Sequence, residues 1–367
     1  MSMNKIGLIG PGRLGLCVAL LLDEAGVEVT AIENNKTYLS QLQNRELITP
    51  EPEVSDRLKS SAISFSADIQ HCLTEDHQTL LIYVPTPENE QGYDHSLLEE
   101  VLKSIRSFGP RTHKTNLVVG CTTLPGYLKN LAADLEQLNY QFTYSPAFIA
   151  QGSIIRNLQH PDMLLFGTAD GSRAHAEEVF RKIVKNDAPA HHMDLTSAEI
   201  TKLATNCFLT AKIAFANAIG DLAIKTGANY EAILGAIGAD DRIGKKYLGY
   251  GFGFGGPCFP RDNRALNIFA KANGYNLQIS EATETANKQH TEFQIDHYLQ
   301  EYAEGEKVVF DHVTYKPGTD ILQESQQLKI AIALAEAGRE VWVQGDGFVL
   351  EKLQKKYGAL FRYELKN

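Results

Sequence analysis

The fold of this 367-residue chain is decided near its start by the stretch Lys5-Ile6-Gly7-Leu8-Ile9-Gly10-Pro11-Gly12-Arg13-Leu14-Gly15. Residues 4–10 form a short apolar run that ends in glycine, which predicts a buried strand. Residues 14–26 have helical spacing and end at a glycine, which predicts a helix. A second apolar run at 27–32 predicts another buried strand, and Glu33 follows it directly. A glycine turn between a strand and a helix, with an acidic residue after the next strand, is typical of dinucleotide-binding domains.

The glycine turn favours a nucleotide cofactor for a physical reason. The spacing Gly-x-Gly-x-x-Gly lets the backbone turn tightly and approach a pyrophosphate at the positive end of the helix. Glu33 would accept hydrogen bonds from the ribose hydroxyls and repel a 2′-phosphate, so the pattern predicts NAD rather than NADP. The expected cofactor contacts are Gly10, Gly12, Arg13, Leu14, Gly15 and Glu33. The alternative is a glycine-rich turn that binds another nucleotide or none.

The composition is that of an ordinary globular enzyme, with 43% hydrophobic and 22% charged residues. A net charge of −10 argues against a nucleic-acid or membrane-surface binder, because no excess of cations awaits phosphate groups. We expect no stretch long and apolar enough to span a membrane, and no signal peptide at the start. The five cysteines are scattered without metal-ligand spacing, so we expect no metal site and a reducing cytoplasm.

Strands alternate with helices through the first half of the chain, where further strands are predicted at 80–84 and 116–119. This alternation predicts an α/β fold with a Rossmann-type, doubly wound parallel sheet that helices cover on both faces. We place this NAD-binding domain at residues 1–190.

The remainder of the chain predicts a long-helix region followed by a small α/β domain. Residues 197–225 are apolar, proline-free and helical in spacing, and a helix of that length usually packs on more than one partner. We expect it to supply a dimer face within a central, mainly helical domain at 191–300. A second α/β unit begins near Lys307, and a truncated C-terminal domain is expected at 301–367. Its predicted elements are a strand at 308–310, a helix at 327–337 and a strand at 340–343.

A second informative segment, at residues 252–262, reads Phe-Gly-Phe-Gly-Gly-Pro-Cys-Phe-Pro-Arg-Asp. Its glycines suit a loop that folds over a ligand, and Cys258 lies four residues before the carboxylate of Asp262. Arg261 would favour the thiolate, which is the nucleophilic form of a cysteine. The residues alone leave two interpretations open: Cys258 is a catalytic nucleophile, or it is a small buried side chain.

Residues 242–262 closely resemble the active-site stretch of the UDP-glucose/GDP-mannose dehydrogenase family. Other segments resemble motifs of that family in the family's order, and the resemblance spans about residues 4–346. These segments are Val84-Pro85-Thr86-Pro87, similar to the loop beside the nicotinamide; Thr122-Thr123-Leu124-Pro125-Gly126, similar to "STVPPG"; Ser145-Pro146-Ala147-Phe148, similar to "NPEF"; Lys202-Leu203-Ala204-Thr205-Asn206, similar to "KLxxN"; and Lys316-Pro317-Gly318-Thr319-Asp320 with Glu324-Ser325, similar to "KPxTDDxRES".

The resemblance implies that the C6 alcohol of a nucleotide sugar is oxidised twice, with two NAD per carboxylate formed. Cys258 would add to the intermediate aldehyde as a thiolate and carry first a thiohemiacetal and then a thioester. Lys202 and Asn206, four residues apart on one helical face, would donate to the oxyanion. Asp262 would act with Thr123, through a water, as proton acceptor. Without the resemblance, Lys202 reads as a surface lysine and Asn206 as a polar residue that is paired locally.

The resemblance also implies binding residues and a homodimer. Arg242 resembles an arginine that reaches across the dimer to the neighbour's substrate. The further residues implied on the cofactor side are Pro85, Thr86, Thr123 and Arg261. Those implied on the substrate side are Phe148, Gln151, Lys202, Asn206, Arg242, Tyr247, Gly255 and Lys316. We therefore expect a nucleotide-sugar substrate and no nucleic-acid or membrane partner.

The chain departs from the family pattern at the residues that release the product. Ala147 replaces the glutamate of "NPEF", which activates or positions the hydrolytic water, and Gln151 replaces a second family glutamate. A methyl group neither accepts a proton nor orients water, so we expect thioester hydrolysis to be impaired or altered. Gln323 replaces the arginine of "RES", which is expected near the cofactor phosphates, and the terminal nucleotide-binding domain is shorter than in the family.

Two hypotheses follow from these departures. In the first, the chain is an NAD-dependent dehydrogenase with an altered substrate, which stops at the aldehyde or passes the thioester to a nucleophile other than water. In the second, it is a catalytically degenerate homologue that binds a nucleotide or a partner. Five retained polar groups favour the first hypothesis: Cys258, Lys202, Asn206, Asp262 and Thr123. A dehydrogenase for an ordinary hydroxy acid fits less well, because such an enzyme does not need this cysteine.

Overall fold

A computed structural model describes residues 5–74 and 76–366 of the chain. The chain divides into two compact units, Met1–Lys202 and Leu203–Asn367. The first residue of the strand predicted at 4–10 lies outside the described residues, as do the outer ends of the domains predicted at 1–190 and 301–367. The division into three domains stays a prediction.

The first unit consists of a large sheet, a short hairpin and the helices that connect their strands. Its strands are β1 (Lys5–Ile9), β2 (Glu28–Ile32), β3 (Ser64–Ser66), β4 (Thr79–Ile82), β5 (Glu88–Asn89), β6 (Gly92–Tyr93), β7 (Thr115–Val119), β8 (Tyr140–Tyr144), β9 (Leu164–Thr168) and β10 (Ala190–Asp194). Its helices are α1 (Arg13–Glu24), α2 (Lys36–Gln43), α3 (Val54–Ser60), α4 (Ser96–Phe108), α5 (Lys129–Glu136), α6 (Ile154–Gln159) and α7 (Glu177–Arg181). The helix and strands predicted in this half of the chain are confirmed, with ends shifted by one or two residues.

The large sheet has the order β10-β9-β8-β7-β4-β1-β2-β3. The chain runs from β1 outward to β2 and β3 and then returns to β4 on the other side of β1. Ligands of doubly wound sheets bind at such a switch point, outside the carboxyl ends of the strands. One pairing departs from the predicted parallel sheet, because β8 and β9 meet antiparallel at Tyr144 and Gly167. A parallel pair requires a crossover back to the starting edge, and β9 instead starts from the edge at which β8 ends.

Helices cover the large sheet on both faces, as predicted. Leu16, Leu58 and Ile154, from α1, α3 and α6, pack with Ile6 and Leu8 of β1 in one apolar core. The other core joins α4 and α5 to the opposite face of the strands. Its members include Leu98, Leu102, Leu135, Leu80 and Ile82. Burial on both faces explains why the central strands have almost uninterrupted apolar sequences.

The helix predicted at 197–225 is α8 (Leu195–Thr226), which begins in the first unit and continues into the second. It corrects one expectation: within the described part of the chain, α8 alone is long and apolar enough to cross a membrane. Charged residues such as Lys212 interrupt the apolar run and obscure it in the sequence. The core helix of a globular protein passes the same test, and α8 carries the buried polar side chains of Glu199 and Asn217.

The second unit joins helices to a small parallel sheet in the order β11-β12-β13. Its strands are β11 (Lys307–Phe310), β12 (Glu340–Gly345) and β13 (Arg362–Leu365), and its further helices are α9 (Tyr230–Gly238), α10 (Phe259–Ala272), α11 (Gln278–Glu301), α12 (Gln326–Glu336) and α13 (Gly347–Tyr357). Val308, Phe310 and Val343 are buried in its core beneath residues of α12 and α13. The elements predicted at 308–310, 327–337 and 340–343 are confirmed, whereas α13 and β13 were not predicted.

Candidate active site

The turn after β1 needs glycine at two of its three glycine positions. Gly10 has a φ of +87°, and a Cβ there would lie 2.6 Å from the carbonyl oxygen of Tyr83. A Cβ on Gly15 would collide with the carbonyl oxygen of Gly10. Gly12 differs, because its φ is −71° and a Cβ there would meet no described protein atom within 4 Å. The fold therefore requires Gly10 and Gly15, whereas Gly12 leaves open space above the turn.

This turn fits a dinucleotide. Helix α1 begins at Arg13, and its N-cap residue Gly12 has no side chain to bond the first amide groups, which are the groups that attract phosphate. Glu33 directly follows β2, and its carboxylate accepts a 2.7 Å hydrogen bond from the amide of Asn35. The hydroxyl of Tyr38 donates to the carbonyl oxygen of Pro11 at 2.9 Å and holds the turn from the side. Open space, helix amides and a carboxylate thus lie where the sequence predicts pyrophosphate and ribose.

The loops after β4 and β7 are tied to each other. The buried hydroxyl of Thr86 donates to the carbonyl oxygen of Thr122 at 2.8 Å, and Pro85 is exposed beside it. The two strands are neighbours in the sheet, so both loops leave from its carboxyl edge. Thr86 therefore has a structural contact in addition to the cofactor contact predicted for it.

Thr123 is fully buried, and it forms a hydrogen bond with a residue that was not predicted from the sequence. Its hydroxyl donates to Glu199 Oε1 of α8 at 2.8 Å. The same carboxylate accepts the amide hydrogens of Gly126, at 2.7 Å, and Leu128, at 3.2 Å. Burial raises the pKa of Glu199 to about 7, although the hydrogen bonds it accepts act in the opposite direction.

Lys202 and Phe148 meet in the first unit. The ammonium of Lys202 donates to the carbonyl oxygen of Ala147 at 2.9 Å and lies 4.6 Å from the centroid of the Phe148 ring. Only 8% of Lys202 is exposed, so its interpretation as a surface lysine is wrong. The position where the family pattern has a glutamate therefore contacts this lysine through its backbone rather than through a side chain.

A buried carboxylate also holds the segment that contains Gln151. Glu51 accepts the amide hydrogens of Gly152, at 2.7 Å, and Ile154, at 2.6 Å, at the start of α6. Asn157 accepts the amide hydrogen of Ala150 at 2.8 Å. Gln151 is half-buried in this segment.

In the second unit, Asn206 and Asp262 form a buried pair. The Asn206 amide donates to Asp262 Oδ2 at 2.6 Å, across 56 residues of sequence, which rules out the alternative that Asn206 is paired locally. Arg261 Nε lies 3.3 Å from Asp262 Oδ1. The Asp262 amide donates to the carbonyl oxygen of Cys258 at 2.8 Å, so the acid lies one helical turn after the cysteine.

Cys258 is the N-cap residue of α10 and is half-buried. The N-terminus of a helix stabilises an anion, and a half-buried thiol can reach a ligand. Three other cysteines, Cys17, Cys72 and Cys121, are buried. The position of Cys258 therefore suits a nucleophile better than a small core side chain.

Side chains hold the backbone of the glycine-rich segment before Cys258. The Asn287 amide accepts the amide hydrogen of Phe254 at 2.9 Å and donates to its carbonyl oxygen at 3.0 Å. Asn217 accepts the amide hydrogen of Gly251 at 3.0 Å, and His290 Nε2 lies 2.7 Å from the Gly251 carbonyl oxygen. These contacts satisfy backbone groups of a segment that forms no strand or helix.

Comparison with known proteins places these features in one family. Residues 4–184 match the sequence model of the NAD binding domain of the UDP-glucose/GDP-mannose dehydrogenase family, and residues 196–289 match its central domain. A UDP-glucose 6-dehydrogenase of Rickettsia felis is 30% identical over 366 residues, which are 96% of this chain and 80% of that protein.

The chain belongs to the UDP-glucose/GDP-mannose dehydrogenase family.

A solved structure agrees with this family. The UDP-glucose dehydrogenase from the hyperthermophilic archaeon Pyrobaculum islandicum aligns with a TM-score of 0.87 and 27% identity, over 99% of this chain and 86% of that one. The UDP-D-ManNAc dehydrogenase of Pyrococcus horikoshii shares the fold, with a TM-score of 0.78 over 92% of this chain and 83% of that one, at 22% identity. The predictions of an α/β fold with a long central helix, an NAD-dependent oxidoreductase and NAD as cofactor are confirmed.

Four other predicted site residues of this dehydrogenase lie in the second unit. Arg242 is highly exposed and bound to Asp240 at 2.6 Å. Tyr247 is 44% exposed and has a φ of +63°, an unusual backbone conformation for a residue with a side chain. Gly255 is closely covered by the carbonyl oxygen of Glu324, and Lys316 is half-buried after β11. Their roles in binding substrate stay predictions.

The residues that hold these segments in place were not predicted from the sequence. Glu199, Glu51, Asn217, Asn287 and His290 contact backbone rather than any expected ligand. One signal was available for Glu199, because it lies three residues before Lys202 and seven before Asn206 in an apolar helix. That spacing predicts a polar stripe on one helical face.

Proposed function

We propose that this dehydrogenase oxidises the C6 alcohol of a nucleotide sugar and that Cys258 is its nucleophile. Its relatives from Rickettsia felis and Pseudomonas aeruginosa are UDP-glucose 6-dehydrogenases, which supports the substrate class. The observation that carries the proposal is the arrangement around Cys258. The thiol lies half-buried at a helix N-terminus, one turn before the buried pair of Asp262 and Asn206.

The chemistry assigned to these residues has four steps: an oxidation, the addition of the thiolate, a second oxidation and hydrolysis. NAD, when bound, accepts a hydride at each oxidation, and the residues that would hold it are Gly10, Gly12, Arg13, Leu14, Gly15 and Glu33. After the first oxidation, the Cys258 thiolate forms a bond to the aldehyde carbon, and the aldehyde oxygen becomes an oxyanion. The second oxidation removes the hydrogen from that carbon and leaves a thioester. Water would then form a new C–O bond and break the C–S bond, which yields a carboxylate and the free thiol.

Lys202 and Asn206 are assigned to the oxyanion. The Asn206 amide has two hydrogens, and its bond to Asp262 uses one of them. The ammonium of Lys202 is held by its bond to the Ala147 carbonyl oxygen and by the ring of Phe148. Donors held by such contacts need little reorganisation when charge develops. Asp262 and Thr123 remain the proposed proton acceptors that act through a water.

Ala147 makes thioester hydrolysis the weak stage of the proposed reaction. Its methyl group accepts no proton and orients no water, and its carbonyl oxygen is already bonded to Lys202. This observation also favours a second candidate function, a two-electron alcohol dehydrogenase that releases the aldehyde. A degenerate homologue that only binds is less well supported, because the Asn206–Asp262 pair and the glycine turn are both intact.

We further propose a homodimer that is formed through α8. Phe208, Phe215 and Leu222 follow one another at intervals of seven residues, and each is at least half exposed. Residues seven apart lie on one face of a helix, so these side chains form an apolar stripe that suits a second copy of α8. Arg242 would then reach the substrate that is bound by the neighbouring subunit. The cytoplasmic location and the remaining binding residues, Pro85, Thr86, Phe148, Gln151, Tyr247, Gly255, Arg261 and Lys316, stand as parts of this proposal.

The proposed function is tested by incubating the protein with NAD and either UDP-glucose or GDP-mannose. We expect NADH to form with one of them and intact-mass spectrometry to reveal a substrate-derived adduct. The adduct should be lost in Cys258→Ser and kept in Cys207→Ala, which removes the other half-buried thiol. NADH without an adduct, at a rate unchanged in Cys258→Ser, would support the two-electron reaction. No NADH with either sugar would contradict the proposed function.

A further inference from the structure

Glu199 is a buried carboxylate in the first unit to which the predicted chemistry assigns no role. It is 0% exposed, lies in the first turns of α8, and accepts hydrogens from three groups of one loop. These groups are the Thr123 hydroxyl, the Gly126 amide and the Leu128 amide, at 2.8, 2.7 and 3.2 Å. A short loop with three bonds to one side chain depends on that side chain for its shape.

We propose that Glu199 is a positioning residue of the dehydrogenase, which fixes the loop from Thr123 to Leu128 and sets the direction in which the Thr123 hydroxyl donates its hydrogen. This inference rests on the proposed role of Thr123 in the reaction. It adds a residue that touches neither the proposed substrate nor the cofactor, and acts through Thr123.

The direction of the hydrogen bond between Thr123 and Glu199 depends on which of the two groups carries a hydrogen. A threonine hydroxyl has one hydrogen, and an ionised carboxylate only accepts. While Glu199 is ionised, the Thr123 hydroxyl must donate to it, so the Thr123 oxygen presents lone pairs elsewhere. A protonated Glu199 can donate to Thr123 instead and leave the threonine hydrogen available. Because burial raises the pKa of Glu199 to about 7, both states are populated near neutral pH.

Titratable groups lie near Glu199 and near the loop that it holds. Asp194, near the start of α8, raises the pKa of Glu199 through its like charge. The amide of Leu124, in the loop, donates to Nε2 of His95 at 3.3 Å, which requires that this nitrogen be unprotonated. Burial lowers the pKa of His95. Glu99 accepts a hydrogen bond from the Tyr127 hydroxyl at 3.0 Å. Glu99 therefore offers a matched control, because this carboxylate of α4 bonds to a side chain of the same loop rather than to its backbone.

The first experiment measures how well the loop amides are protected from exchange, and it needs no ligand. Hydrogen–deuterium exchange is followed in the peptide that contains Gly126 and Leu128, in folded wild-type protein and variants. We expect exchange about tenfold faster in Glu199→Gln, because the glutamine NH₂ group only donates and so replaces an oxygen that accepts from the loop. Glu99→Gln should exchange as the wild type does. Glu199→Asp, which keeps the charge but shortens the reach, should be intermediate. Equal exchange in wild type and Glu199→Gln, or the same increase in Glu99→Gln, would overturn the proposal.

The second experiment tests the direction in which the Thr123 hydroxyl donates. It measures the pH dependence of turnover with NAD and either UDP-glucose or GDP-mannose. We expect kcat of the wild type to rise with pH through about 7, where Glu199 loses its proton. This inflection should be absent in Glu199→Gln and Thr123→Val and kept in Thr123→Ser. An inflection shared by wild type and Glu199→Gln would overturn the role of Glu199. If neither sugar is oxidised, the proposed function fails, and the exchange experiment still decides whether Glu199 fixes the loop.

Discussion

The side-chain amide of Asn206 lies 2.6 Å from the carboxylate of Asp262, and both residues are almost wholly buried. One residue comes from α8 and the other from the first turn of α10, directly after Cys258. A buried carboxylate is tolerated only when it is hydrogen-bonded or paired. The pair therefore links the stability of this unit to the proposed chemistry of its cysteine.

Replacement of Asn206 should affect both properties. Asn206→Ala leaves the Asp262 carboxylate with one donor fewer, and we expect the free energy of unfolding to fall by about 1–3 kcal/mol. If Asn206 also donates to the oxyanion, kcat should fall about 10²–10³-fold. Urea unfolding and steady-state kinetics measure the two effects. Asn273→Ala is the control, since this exposed residue caps the end of α10 and its side chain donates to the Phe269 carbonyl oxygen. A variant with unchanged kcat would remove Asn206 from the oxyanion site.

A glutamate at position 147 should restore product release if its absence limits the reaction. Ala147→Glu places a carboxylate on the residue whose carbonyl oxygen binds the Lys202 ammonium, where it can orient water. We expect the mass adduct on Cys258 to diminish and carboxylate release to accelerate. Ala147→Gln has the same size without the acid and should leave the adduct in place. Persistence of the adduct in Ala147→Glu would locate the defect elsewhere.

Two glycines of the cofactor turn should respond differently to alanine. In Gly12→Ala the new methyl group meets open space, so we expect an unchanged melting temperature and a loss of NAD affinity. In Gly15→Ala the methyl group collides with the Gly10 carbonyl oxygen, so the melting temperature should fall as well. Calorimetry of unfolding and of NAD binding separates the two effects. Normal NAD binding by folded Gly12→Ala would contradict the assignment of the turn.

The pH dependence of stability should reveal Glu199. Its pKa is raised from 4.5 to about 7 in the folded chain, so its contribution to stability is complete below pH 4.5 and is lost as the pH rises through about 7. Glu199→Gln does not titrate. The stability of wild type relative to this variant should therefore decline between these pH values, by roughly 3 kcal/mol. Denaturant unfolding at a series of pH values measures this difference. A constant difference would mean that Glu199 has an ordinary pKa.

The apolar stripe on α8 predicts which substitution would disrupt the proposed dimer. Phe215→Arg places a charge in the middle of the stripe, and we expect sedimentation to show a shift from dimer to monomer. Tyr275→Arg is the control, because this residue is also exposed in the second unit but lies outside α8. If Phe215→Arg sediments as the wild type does, the stripe is not the interface.

The sequence predicted the elements whose residues are dictated by local physics. Gly10 and Gly15 are required by backbone geometry, and the apolar runs of β1, β2 and β4 are required by burial on both faces. Helix α13 and strand β13 were not predicted, although their apolar residues, such as Leu350 and Phe361, also lie in a core. The antiparallel pairing of β9 depends on long-range topology, which no local pattern encodes.

The candidate site was predictable where side chains were expected to meet a ligand, and not where they meet backbone. Cys258 and Asp262 stood out because their residue types suggest chemistry. Asn287 and Glu199 stabilise loops far away in sequence, so nothing near them in the chain indicates their partners. Contacts of this kind arise only when the tertiary fold brings the segments together.

The segment that leads to Cys258 is bonded to several helices. Its backbone bonds reach Asn217 on α8, Asn287 and His290 on α11, and Gln326 on α12. Segments of sheet or helix open by fraying from one end, but this one has anchors on three separate elements. The backbone that leads to Cys258 therefore has no single end from which it opens, and we expect its local opening to depend on all three helices together.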